Sequence, residues 1–125
     1  MFRFDHIALY VSNLEKSVYF YRSIFELTSI PNPFPSGKAW FLLDKEIQLH
    51  LIENEANTLS IPERSHFCFS VVSLDKFLEK LRKNKIDFSD FDGNVDTIRL
   101  RTDGIQQIYF QDPDGYCWEV NDAWN

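Results

Sequence analysis

His6-Ile7-Ala8-Leu9-Tyr10-Val11 runs into Leu14-Glu15-Lys16, and sixty positions later His66-Phe67-Cys68-Phe69-Ser70-Val71 runs into Leu74-Asp75-Lys76. Each copy is an alternating segment with a histidine near its start, then a polar cap and an amphipathic stretch. Alternation with period two is a strand signal, and apolar residues three and four apart are a helix signal. The chain therefore contains one βα unit twice. If the halves pack symmetrically, the repeat brings two imidazoles toward one centre, and paired imidazoles commonly begin a divalent-metal site.

Working outward, residues 2–11 read as a strand. Ser12 stands at capping-box spacing before Glu15, with Asn13 as a second cap candidate. Leu14, Val18, Tyr21 and Phe25 carry a helical stripe to about Leu27. Pro31, Pro33 and Pro35, with Phe34 and Gly37 among them, exclude a helix there and predict a stiff aromatic loop. Residues 39–43 and 47–52 read as strands joined by a short turn. Residues 54–64 are polar and read as a linker.

The second copy repeats the plan: a strand over 65–71, then a helix from about Ser73 to Asn84 with Leu74, Phe77, Leu78 and Leu81 inward. A short extended piece at 86–88 and a loop over 90–96 follow, then strands over 97–101, 106–111 and 116–121. Asp103-Gly104 and Asp112-Pro113-Asp114-Gly115 mark the turns, because Pro presets φ and Gly accepts a positive φ. The expected fold is α+β: two tandem βαβββ modules with antiparallel-type strands, forming a curled mixed sheet around a metal and substrate cleft. One domain spans 1–125, with module one over 1–53, a linker over 54–64 and module two over 65–125.

Composition narrows the function. The 125 residues are 44% hydrophobic and 26% charged, which is globular usage. The net charge of −6 argues against a nucleic-acid surface. No apolar run approaches the ~20 residues of a membrane span, and the N-terminus has no signal-peptide core. Cys68 and Cys117 read first as buried free thiols of a reducing compartment, with a disulfide, or a thiol on the cleft face by its shared parity with His66 and Glu119, as alternatives; a cytoplasmic protein is expected. Twelve Phe, five Tyr and three Trp suffice to fill a core and line a cavity as well.

Strand parity selects candidate ligands. Gln48 lies mid-strand between Ile47 and Leu49, with His50 on its face, and Glu119 lies between Trp118 and Val120. Each module thus offers a histidine on its first strand and an oxygen donor on its last: His6 with Gln48, His66 with Glu119. Such a set suits one divalent ion, Zn, Fe, Mn, Ni or Co, without choosing among them. A carboxylate between Trp and Val is costly to bury unless paired or metal-bound.

The doubled unit, the Asn13-Leu14-Glu15-Lys16-Ser17 helix entry, the Ile47-to-Glu53 strand and the Asp112-Pro113-Asp114-Gly115-Tyr116 ending before Glu119 resemble the vicinal oxygen chelate superfamily. That group includes glyoxalase I, fosfomycin-resistance thiol transferases, methylmalonyl-CoA epimerase, extradiol dioxygenases and bleomycin-resistance proteins. The resemblance covers essentially the whole chain. It implies His6, His66 and Glu119 as metal ligands, with Gln48 at the fourth position. Lewis-acid catalysis on a small oxygen-bearing substrate follows, with lyase, isomerase, epimerase or dioxygenase chemistry and Glu119 as the best general base. Glyoxalase I-like enzymes place a carboxylate where Gln48 stands, and Glu46 and Glu53 are the nearby carboxylates in sequence. The alternative is a metal-free protein that sequesters a small molecule, as bleomycin-resistance proteins do. Phe34 and Trp40 are read as a pocket cover or as packing, and Arg99 and Arg101 as solvated charge or an anion contact. By analogy with proteins of this length in the group, a homodimer is expected.

Overall fold

A computed structural model of the chain describes residues 1–34, 36–54 and 60–124. The chain divides into two compact units, Met1–Ser60 and Ile61–Asn125. Of the linker expected over 54–64, residues 55–59 lie outside the described residues, as does Pro35 of the proline-rich loop.

Unit one consists of β1 (His6–Val11), α1 (Leu14–Ile24), β2 (Thr28–Ile30), β3 (Lys38–Asp44) and β4 (Ile47–Glu53). Its sheet has the order β1-β4-β3-β2. Leu9, Val11, Phe41, Leu49 and Leu51 are buried on one face, with Phe20, Tyr21 and Ile24 of α1 also buried. The other parity, with His6, Trp40, Gln48 and His50, takes the opposite face. Asn13 is the residue that caps α1: its side chain accepts from the Lys16 N–H at 3.0 Å, at extended backbone angles. Ser12 stands one residue too early for that role. Glu53 supports the same helix end from β4, its Oε2 accepting the Leu14 N–H at 2.7 Å, where a carboxylate also favours the helix dipole.

Unit two consists of β5 (His66–Ser70), α2 (Leu74–Lys83), β6 (Arg99–Leu100), β7 (Gln106–Gln111) and β8 (Cys117–Asn121), in the sheet order β5-β8-β7-β6. Ser73 caps α2 by accepting the Lys76 N–H at 3.3 Å. The apolar parity, Phe69 stacked on Trp118 with Ile108, Phe110 and Val120, forms the core, and Phe77 of α2 meets Phe110. In the β7–β8 turn Gly115 adopts φ +97, a conformation other residues reach only with strain.

The sheets are mixed, as expected, although their strands are not all antiparallel in type: β1 and β4 pair parallel, as do β5 and β8. After the extended piece at 86–88, Ser89 makes isolated bridges to Val95 and Tyr109, and the strand expected over 97–101 is confined to Arg99–Leu100.

Candidate metal-binding half-sites

In unit two, the parallel register sets Cys68 opposite Glu119 and His66 opposite Cys117. All four therefore share the sheet face that the apolar core leaves free. His66 Nε2 lies 3.3 Å from Glu119 Oε1. The His66 Nδ1 sits 3.1 Å from the Arg64 carbonyl, an acceptor only, so the ring donates through Nδ1 and turns Nε2 toward Glu119.

Glu119 is a buried carboxylate at the centre of a donor shell. The Tyr109 hydroxyl donates to Oε1 at 2.9 Å, while the Cys68 thiol and the Asn121 amide each donate to Oε2 at 3.0 Å. Gln107 Nε2 donates in turn to the Tyr109 oxygen at 2.7 Å, and Ser70 donates to Asn121 at 2.8 Å. Burial opposes ionisation of Glu119, but the hydrogen bonds from Cys68, Asn121 and Tyr109 and the charge of His66 outweigh it and lower its pKa. The same contacts act inversely on the donors. Burial, then the Glu119 carboxylate, push the Cys68 thiol up to about 12 and raise the Tyr109 phenol as well.

In unit one, His6 and Gln48 are register partners across β1 and β4. His6 Nδ1 lies 2.6 Å from Asp5 Oδ2, so this imidazole too is held by its Nδ1, leaving Nε2 as the outward donor atom. The His6 contact lowers the Asp5 pKa. His50 is buried in a stack of rings: 4.2 Å from His6 and 3.7 Å from Trp40, centroid to centroid. Burial lowers the His50 pKa, so it is a neutral stacking residue near pH 7. Its Nε2 lies 2.8 Å from Gln48 Oε1, so the Gln48 oxygen is already engaged within its own strand. Phe34 packs edge-on against Trp40 at 6.1 Å and receives Lys38 at 4.6 Å, so this part of the loop is anchored to β3.

Several sequence expectations need correction. Cys68 and Cys117 are free, but Cys68 is exposed and Cys117 half-buried, because their parity sends them to the ligand face and not into the core. The nearby carboxylates Glu46 and Glu53, to which the sequence assigned no role, stay off the ligand face: Glu46 pairs with Arg3 in solvent, and Glu53 holds the start of α1. Tyr109 and Asn121 were not singled out by sequence, although the Asp112-to-Gly115 turn already implied the hairpin register that puts Tyr109 opposite Glu119.

The donor chemistry fits a divalent ion. Two imidazoles are tethered by Nδ1, and one buried carboxylate is held ionised. Among the described residues, no three or more His, Cys, Asp or Glu side chains gather as a cluster that could hold a metal. Each unit carries a histidine at the start of its first strand and an oxygen donor on its last.

A repeated βαβββ module with a histidine on its first strand and an oxygen donor on its last defines the class. Residues 3–120 match the Glyoxalase/Bleomycin resistance protein/Dioxygenase superfamily, and the chain belongs to that superfamily. It is similar to the crystal structure of the fosfomycin resistance protein FosX from Listeria monocytogenes, with a TM-score of 0.79 and 23% identity over 97% of this chain and 93% of that one. A lactoylglutathione lyase from Agrobacterium tumefaciens superposes with a TM-score of 0.71 and 20% identity, over 98% and 96% of the two chains. These two likenesses concern the fold. In sequence, the chain is 27% identical over 118 residues to a probable trivalent organoarsenical cleaving enzyme of Bacillus subtilis, covering 94% of this chain and 77% of that protein.

Proposed function

We propose that the protein is a divalent-metal-dependent enzyme of this superfamily acting on a small oxygen-bearing substrate. His6, His66 and Glu119 would hold the ion, with Gln48 as fourth ligand or neighbour. The observation that carries this reading is the matched tethering of the two imidazoles. Each has its Nδ1 against an oxygen acceptor, Asp5 or Arg64, and so presents Nε2. A sequestering protein would have no use for two such tethers and an ionised buried carboxylate.

When bound, the ion supplies Lewis-acid polarisation of a substrate oxygen. The chain's own residues do the rest. Glu119 Oε1 and Oε2 accept hydrogen bonds from Tyr109 and Cys68 in the resting network, and this ionised carboxylate is the group we assign to take a proton from substrate. Gln48 is an amide and takes no proton near neutral pH, so it offers no base to match Glu119. Tyr109 and Asn121 orient the Glu119 carboxylate. The relatives' names, a lyase and an organoarsenical cleaving enzyme, support bond cleavage or isomerisation as the chemistry to screen first. The two free thiols support a reducing compartment, and we also propose a homodimer.

Elemental analysis of protein purified without a metal-affinity tag tests the reading. About one divalent ion per chain is expected, lost in both His66→Ala and Glu119→Gln with the fold intact by circular dichroism. Protein that is metal-free and takes up none on titration with Zn, Mn, Ni, Co or anaerobic Fe(II) would overturn it.

A further inference from the structure

On β4, His50 stands opposite Ala8, as Glu119 on β8 stands opposite Cys68. Glu119 opens toward His66, but His50 is closed into unit one by three contacts. The Trp40 ring lies 3.7 Å away, centroid to centroid, with the planes 6° from parallel. The His6 ring lies 4.2 Å away at 19°. Two rings this near cannot share one face of an imidazole, and β4 runs between β1 and β3, so His50 is sandwiched. In its own strand, its Nε2 lies 2.8 Å from Gln48 Oε1.

The stack and the hydrogen bond do separate work. Asp5 Oδ2, 2.6 Å from His6 Nδ1, fixes how far the His6 ring turns within its plane. A flat neighbour fixes the plane itself. An amide oxygen only accepts, so the His50 imidazole donates its Nε2–H and holds the Gln48 oxygen to itself. What Gln48 keeps is its N–H2 group, a pair of donors that makes no hydrogen bond among the described residues. Asp5 steadies Gln48 as well, because its carbonyl accepts the Gln48 backbone N–H at 3.0 Å. Cations bind an amide through its oxygen, whereas an N–H2 group suits an acceptor oxygen of a bound molecule, such as a carbonyl or carboxylate.

We infer that His50 is the positioning residue of unit one: it holds the plane of His6 by stacking and turns the Gln48 amide, so that Gln48 donates to a substrate oxygen instead of ligating the ion. Calling that oxygen the substrate's rests on the metalloenzyme reading; the orientation of His6 and Gln48 by His50 does not.

The first test uses metal-free, isotope-labelled full chain at mildly alkaline pH, with long-range proton–nitrogen correlations of the imidazoles. His50 is expected as the Nε2–H tautomer. An Nδ1–H tautomer overturns the inference, because Gln48 must then turn its N–H2 group to His50. His50→Phe keeps a ring in the stack and His50→Leu does not. His6 should keep one tautomer and one set of ring signals in the Phe variant and show a mixture in the Leu variant, both folded by their amide spectra. Identical His6 signals in the two variants overturn the positioning role. Should the Leu variant not fold, the His50 tautomer in the unaltered chain decides.

Zinc titration addresses Gln48. The affinity of Gln48→Met is expected within about threefold of the parent's, and a loss of about tenfold or more, the scale set by metal-site partners, makes Gln48 a ligand and overturns its donor role. On zinc-loaded protein, acetohydroxamate, which offers two acceptor oxygens, should shift the Gln48 N–H2 resonances downfield and saturably. Resonances that stay in place overturn the donor role too. If the chain takes up no zinc, the metalloenzyme reading fails alone, and the His50 tautomer and the His6 contrast still decide this inference.

Discussion

Glu119 shows how one side chain is prepared by its neighbours. Three donors and one imidazole surround a carboxylate that burial alone would neutralise. Removing a donor tests that preparation. Tyr109→Phe deletes the hydroxyl that donates to Oε1 while keeping the ring against His66 and Phe91. Partners that orient a ligand typically change metal affinity by ~10–100-fold. We expect a loss of that order in calorimetric metal titration, with a melting temperature close to the parent's. Cys68 gives a second prediction. Burial and the Glu119 carboxylate push its pKa up to about 12, so at pH 8 the metal-free protein holds far less thiolate than an unperturbed cysteine. Iodoacetamide labelling should therefore be slow despite the exposure of Cys68 and should accelerate as pH rises toward the folded pKa. In Glu119→Gln, labelling at pH 8 should be faster, read by mass spectrometry of the Cys68 peptide.

At the scale of elements, the turn between β7 and β8 aims the site. Asp112 is 5% exposed, and its Oδ1 accepts the N–H groups of Asp114 and Tyr116, both at 2.9 Å. Those bonds hold the hairpin register that places Tyr109 opposite Glu119. Asp112→Ala leaves two backbone donors without that acceptor and should destabilise by ~1–3 kcal/mol, seen as a melting temperature lower by several degrees, with metal affinity weakened although no ligand is touched. The strands β4 and β7 were legible in sequence nearly to the residue, because alternation and flanking turns bounded them. Parallel pairing was not, since alternation looks the same whichever way a neighbour runs. The cap moved from Ser12 to Asn13 because both residue types accept hydrogen bonds, and backbone geometry selects between them. The cysteines' parity was visible, but a general preference of thiols for cores pointed the wrong way.

For the whole molecule, the duplication read from the two histidine-led strands is present as two units of the same element order. Neither unit holds more than two of the four proposed ligands, which the sequence already implied through the spacing of His6 from Gln48 and of His66 from Glu119. The proposed homodimer has its own consequence. If clefts are shared between chains, metal occupancy depends on protein concentration. Sedimentation of the loaded protein should then show dimer and metal lost together on dilution, whereas a monomer with full occupancy would exclude shared clefts.

The parallel pairs β1–β4 and β5–β8 make each unit end beside where it began. A segment that closes on itself in this way can be copied whole within a gene without leaving a ragged sheet edge to be repaired. Each copy keeps its own sheet and helix, so the residues on the free face of its last strand can differ. Here the matching positions, each opposite the second residue after a first-strand histidine, carry the imidazole of His50 in one copy and the carboxylate of Glu119 in the other.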